Sequence, residues 1–151
     1  MGRYAEFSTY WQQARSIDSA AGRPSPLAFV RTNQIYALTD LGLPADRTVA
    51  EFDAAVEAMN IESRPLVDRP YLFFAQTYAR VGRVDKARSL IARYEAAVRD
   101  TAQRRWDRPY LQTAQAEIAA AEKKWAEAAQ LFRAGDRRDD GFVSDNETDL
   151  P

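Results

Sequence analysis

The residues whose types and spacing could carry catalysis are carboxylates: Glu51, Asp53 and Glu57 in one predicted helix, Glu117 and Glu122 in another. Paired Asp or Glu side chains can divide acid and base work between them. These five fall in ordinary charged helical patterns and read as solvent-facing. Cysteine and histidine are both absent, which removes disulfides, Cys/His zinc sites, thiol nucleophiles, Ser-His-Asp triads and histidine bases. There is no glycine-rich phosphate loop, because Gly42, Gly82 and Gly135 each stand where a helix is expected to break. The chain is therefore expected not to be an enzyme, and no cofactor or metal is expected.

Two further clusters have charge without a clear chemistry. Between Arg80 and Arg108 nine basic residues outnumber four acidic ones, a local charge of +5. Nucleic-acid binding would want those cations on one face with aromatic partners. Their spacing spreads them around a helix, so a solvated outer face is expected, with Arg104, Arg105, Trp106 and Arg108 a small anion-attracting corner at most. Residues 136–147 resemble the twelve-residue EF-hand calcium loop, with Asp136, Asp140, Gly141, Val143, Ser144 and Glu147 at matching places. Arg138 falls where an oxygen ligand belongs, and the match is read as chance.

What must position any site is a helical body. Of 151 residues 27 are alanine and only six are glycine, a bias toward the best helix former. The net charge of −1 provides no field toward nucleic acid or an anionic membrane. No apolar run approaches the ~20 residues of a membrane span, the N-terminus has no signal-type apolar core, and Glu6 stands where N-myristoylation after Gly2 wants Ser or Thr. A cytoplasmic address is expected, with neither nucleic acid nor membrane as partner.

Periodicity predicts about seven helices and no strands. The first spans about Arg3 to Ala21 and stops at Gly22, before Pro24 and Pro26. The second runs from about Ser25 through Leu41, with Phe29, Val30, Ile35 and Leu38 inward. Thr48 as N-cap with Glu51 as its capping-box partner opens a third, ending near Asn60 to Arg64. Pro70 suits the first turn of a fourth, broken at Val81-Gly82. A fifth starts at Asp85, Pro109 is expected to open a sixth, and a seventh holds Trp125, Ala128, Leu131 and Phe132 before Gly135. Residues 1–135 form one helical domain in this reading. Residues 136–151, with a net charge of −4, form a polar, acidic, extended or mobile tail.

The strongest signal is internal repetition. In the segment from Pro70 to Ile91, Tyr71, Phe74, Ala75, Tyr78, Gly82, Ala87 and Ile91 occur in an order that resembles one tetratricopeptide (TPR) unit. Small residues at 75 and 87 would let two antiparallel helices approach closely while aromatics fill the gaps. Ala116, Ala128 and Phe132 repeat Ala75, Ala87 and Ile91 at a constant offset of 41, longer than the usual ~34. The excess is assigned to the helix between Ala87 and Arg105 or its connection. A fainter upstream unit has Ile35, Leu38 and Gly42, then Phe52, Ala55 and Met59. More loosely, the Arg-Pro-Tyr-Leu run and the Val-Gly-Arg-Val-Asp-Lys-Ala-Arg turn resemble TPR arrays appended to bacterial signalling proteins.

That resemblance implies an all-α solenoid of three hairpins after an N-terminal helix, with first helices lining a concave groove. Arg69, Leu72, Phe73, Gln76, Ala79 and Arg80 would face it from one unit, and Tyr110, Thr113, Ala114, Glu117, Ala120 and Ala121 from the next. The implied function is a non-catalytic scaffold binding a protein or peptide, either an amphipathic helix or an extended acidic segment. The other reading of Leu72 and Phe73 packs them against a neighbouring hairpin. An alternative function is self-association, in which open terminal hairpins stack copies into a homo-oligomer.

Overall fold

Six helices, and no strand among the described residues, are joined by short turns in the computed structural model. The structure describes residues 27–136, together with Thr9, Tyr10, Gln13 and Ser16, which are helical. The rest of the expected first helix and of the acidic tail, including every calcium-loop position beyond Asp136, lies outside the described residues. The helices are α1 (Leu27–Asp40), α2 (Asp46–Met59), α3 (Tyr71–Arg80), α4 (Val84–Ala97), α5 (Thr101–Ala121) and α6 (Trp125–Gly135). Two single 3₁₀ turns, Ile61–Ser63 and Leu66–Asp68, fill the connection from α2 to α3.

Consecutive helices pair as three hairpins, α1 with α2, α3 with α4 and α5 with α6. The three first helices also meet, since α3 packs against both α1 and α5. The residues of the repeat explain the middle hairpin. Ala75 and Ala87 are fully buried in one apolar cluster, and alanine at both places leaves room for α3 and α4 to come close. Phe52 fills the space beside them, edge-on to Phe74 at 5.4 Å and 4.8 Å from the Tyr78 ring. Burying each such aromatic is worth roughly 1.5–3 kcal/mol. Gly82 closes α3 at φ +75°, a conformation cheap only for glycine, while Arg83 N–H donates to Tyr78 O at 2.8 Å.

Polar groups at the hairpin joints are paired. The Lys86 ammonium reaches Asp53 at 2.7 Å and lies 5.3 Å over the Tyr78 ring. Burial, then the hydrogen bond to Asp53, raises the Tyr78 phenol well above its ordinary range. Of the basic run, Lys86 therefore pairs with Asp53, Arg88 with Glu122, Arg93 with Glu62 and Arg80 with Asp40 and Glu117. The run binds helices together at those four points rather than serving only as a solvated face.

Three local expectations are corrected. Helix α2 starts at Asp46 with Ala45 as cap, and no side-chain cap bond; Thr48 lies inside the first turn. Asp46 at the helix N-terminus has the charge that the helix dipole favours there. Pro109 does not open a helix, because α5 begins eight residues earlier at Thr101 and runs through it. Asp100 is the true cap, its Oδ1 accepting from Gln103 N–H at 2.7 Å. Gly135 is the last residue of α6 and has no positive φ. A Cβ there would lie 3.0 Å from Pro109 O and from Thr113 Oγ1, so glycine serves the close approach of α6 to α5.

Candidate functional site

The eight residues from Thr101 to Arg108 overhang the hairpin that α5 makes with α6. They bury little: Thr101, Ala102, Arg104, Arg105, Trp106 and Arg108 are all exposed. Arg104 secures the overhang by donating to Val98 O at 2.7 Å and Glu95 O at 2.9 Å, the free carbonyls at the end of α4. The second jaw is the connection from α2 to α3. It is held by Arg69, which donates to Arg64 O at 2.9 Å and Glu62 O at 2.8 Å. Glu62 in turn takes Arg93 from α4, and this hydrogen bond holds its carboxyl below the usual range.

Between the jaws opens an apolar cleft of about 430 Å³. Leu66, Val67 and Pro70 line it from the connection, Tyr71, Leu72 and Phe73 from α3, Tyr94 and Val98 from the end of α4, and Tyr110 from α5. Val67 is 79% exposed, and Leu66, Phe73 and Tyr110 are also open to solvent. Apart from Arg69 and the tyrosine hydroxyls, the polar groups in the lining belong to α5 and its cap: Asp100, Gln103 and Asp107. Asp107 Oδ2 accepts from Tyr94 OH at 3.2 Å and from Gln103 Nε2 at 2.9 Å. Burial and the neighbouring Asp107 push the Tyr94 phenol up to about 12, so it stays a neutral donor.

The expected groove residues divide into three groups. Phe73 and Tyr110 lie on the cleft, Gln76 ties the two helices at its edge by donating to Tyr110 O at 3.1 Å, and Arg69 lines it while holding the connection. Leu72 is buried in the core cluster and forms floor rather than surface; Ala79 and Ala114 are fully buried too. This corrects the expectation that Ala79 and Ala114 face a groove: α3 is covered on the α1 and α5 sides, so its first-helix face is mostly core, and Leu72 meets the cleft only as its floor. Thr113 is also corrected, since its hydroxyl donates to Pro109 O at 2.9 Å on the side of α5 that approaches Gly135 of α6.

Arg80 and Glu117 form a separate cluster that fastens the three first helices. The Arg80 guanidinium pairs with Asp40, donates to Thr39 Oγ1 at 3.0 Å, lies 3.5 Å from Glu117 and sits 4.6 Å over the Tyr36 ring. Burial raises the Glu117 carboxyl above its usual range against the pull of Arg80, and burial likewise raises Tyr36. A guanidinium committed to two carboxylates is not available to an acidic peptide, which removes the basis for expecting an acidic ligand at this position. Of the other carboxylates considered for catalysis, Glu51 pairs with Arg31 and Arg47, Asp53 with Lys86 and Glu122 with Arg88 and Lys124, while Glu57 is exposed.

Among the described residues no group of three or more Asp or Glu stands together in a way that could hold a metal ion, and no helix is long and apolar enough to cross a membrane. Sequence reasoning missed Leu66, Val67, Tyr94, Val98, Asp100, Gln103 and Asp107. One signal for their assembly was present: the Asp100-Thr101-Ala102-Gln103 spacing of a helix start. Comparison with family models, with curated proteins and with solved structures gives no match.

Proposed function

We propose that the chain is a non-catalytic protein-interaction module, a TPR-like array of three hairpins that works in the cytosol and takes a partner segment at the cleft between its middle and last hairpins. The single observation that carries this reading is the cleft itself. Its volume lies within the ~300–1,000 Å³ of ordinary ligand pockets, and its lining is apolar and aromatic with a few convergent polar groups. A helix overhang that buries little of its own surface contributes nothing comparable to the core, so its use is the wall that it makes. The cleft replaces the long concave groove as the binding surface, because the rest of the first-helix face is filled by Arg80 and its partners.

The test compares wild type with Val67→Asp and Phe73→Glu in partner capture, each variant checked by circular dichroism. Val67→Asp should keep the helical signal, because Val67 is 79% exposed; Phe73 also stacks on Phe29 at 5.7 Å, so Phe73→Glu is compared where its helical signal is intact, and both should lose the captured partner. A partner retained by both folded variants would overturn the reading.

A second reading, self-association, has its own observation: α6 leaves Trp125 66% and Phe132 39% exposed, whereas end units of repeat arrays normally present a polar outer face. Sedimentation at tens of micromolar decides it. A dimer or larger species dispersed by Trp125→Glu favours stacking, and a monomer excludes it.

A further inference from the structure

The cleft's charges are unevenly placed, and this asymmetry defines the ligand. On the α5 wall stand two carboxylates, Asp100 and Asp107, with no cation in the lining from that helix, since Arg104, Arg105 and Arg108 lie outside it. Arg69, the cation of the lining, belongs to the opposite jaw and spends its Nε and Nη2 donors on the carbonyls of Arg64 and Glu62. The hydrogen bonds from Tyr94 and Gln103 to Asp107 both land on Oδ2. A carboxylate accepts up to about four, so Asp107 has capacity for a further donor. Resting on the interaction reading above, we infer that the cleft selects a peptide segment in which a large apolar side chain is flanked by Lys or Arg. The apolar side chain enters between Val67, Phe73 and Tyr110, and the flanking cation pairs with Asp100 and Asp107. The pairing is charge-assisted beside an apolar floor, where such contacts are stronger than in open water. Of the two ligands that the sequence suggests, an amphipathic helix or an extended acidic segment, this charge preference opposes the acidic one.

The substitutions that isolate the charge are Asp100→Asn and Asp107→Asn together. Asparagine caps a helix about as well as aspartate, and its side-chain oxygen still accepts from Tyr94 and Gln103, so the walls stay in place. The full chain is used to select binders from a displayed random-peptide library, and the winning peptides are titrated against wild type, the double Asn variant and Val67→Asp. Expected are sequences with Leu, Phe or Trp beside Lys or Arg, an affinity loss of roughly tenfold in the double Asn variant, and weakening by salt. Winners rich in Asp or Glu, or an affinity unmoved by the Asn changes, overturn the inference. If such winners still fail on Val67→Asp, the cleft remains a peptide site and only its charge preference is lost. Winners indifferent to Val67→Asp, or no winners, overturn the site as well.

Discussion

Helices α3 and α6 occupy comparable lengths but live in different surroundings. In α3, Tyr71, Leu72, Phe74, Ala75, Thr77, Tyr78 and Ala79 are buried, whereas in α6 Ala128 alone is. Helix α3 touches α1, α4 and α5, while α6 packs chiefly on α5. A helix enclosed on three sides constrains nearly every position, so its sequence keeps aromatic, small and turn residues in strict order. Around α6 those constraints relax. Forty-one residues on from Gly82 and buried Ile91 stand Lys123 and Phe132, and Phe132 is exposed. Lys123 even takes the glycine's positive φ, at 62°.

The sharpest way to break that comparison is to truncate one aromatic in each region. Phe74 is fully buried, with Phe29 at 5.2 Å and Phe52 at 5.4 Å. Phe74→Ala should cost about 3–5 kcal/mol in urea unfolding, enough to unfold a marginal domain. Phe132→Ala should cost less than about 1 kcal/mol, in line with substitutions at the surface. Equal losses would mean that α6 is enclosed as fully as α3.

The same contrast explains what the sequence revealed. Apolar periodicity with a Gly or Pro at one end or both lies close to the observed bounds of α1, α3, α4 and α6. The start of α5 was misplaced. Proline lacks the N–H that a helix interior uses and is costly there, and Pro109 therefore read as an opening residue. The structure accommodates it because the turn before it projects into solvent, where the carbonyl left without that N–H can meet water. Those eight residues lie between the alanines that recur at the 41-residue offset, Ala75 with Ala116 and Ala87 with Ala128. The candidate site was only partly legible, through Arg69, Phe73, Gln76 and Tyr110. Its remaining lining comes from a proline-punctuated connection and two helix ends that no periodic pattern brings together. Val67 and Asp100 have loop and cap chemistry in sequence, and become cleft walls only when α4 ends against α5.

A smaller effect tests whether the first-helix face is joined by Arg80. Arg80→Met keeps much of the side chain's apolar length but strands Asp40 and Glu117, and leaves Thr39 and Tyr36 without their cation. Since the guanidinium is about a quarter exposed, a loss of order 1 kcal/mol is expected, between the values for surface and buried pairs. Adding Glu117→Gln should recover part of it, and a double-mutant cycle with no coupling would remove Arg80 from this role.

The smallest expected effect separates two carboxylates of the same helix. Glu117 faces α3, where burial raises its carboxyl above the ordinary value. Glu122 lies at the hairpin turn, where hydrogen bonds from Lys124 and then Arg88 lower its carboxyl. Linkage makes their contributions opposite. Protonated Glu117 tolerates burial best, so its stabilising contribution is complete below the unfolded value and is lost as pH rises through its raised folded value. Glu122 contributes above the unfolded value and loses that contribution as pH falls through its lowered one. Melting temperatures of wild type and Glu117→Gln, followed from about pH 2 to about pH 7, should therefore diverge in the variant's favour as pH rises above the unfolded carboxylate value. The Glu122→Gln difference should move the other way. Parallel curves for Glu117→Gln and wild type would place Glu117 in a wet, unconstrained position and undo the claim that the first-helix face is packed rather than open.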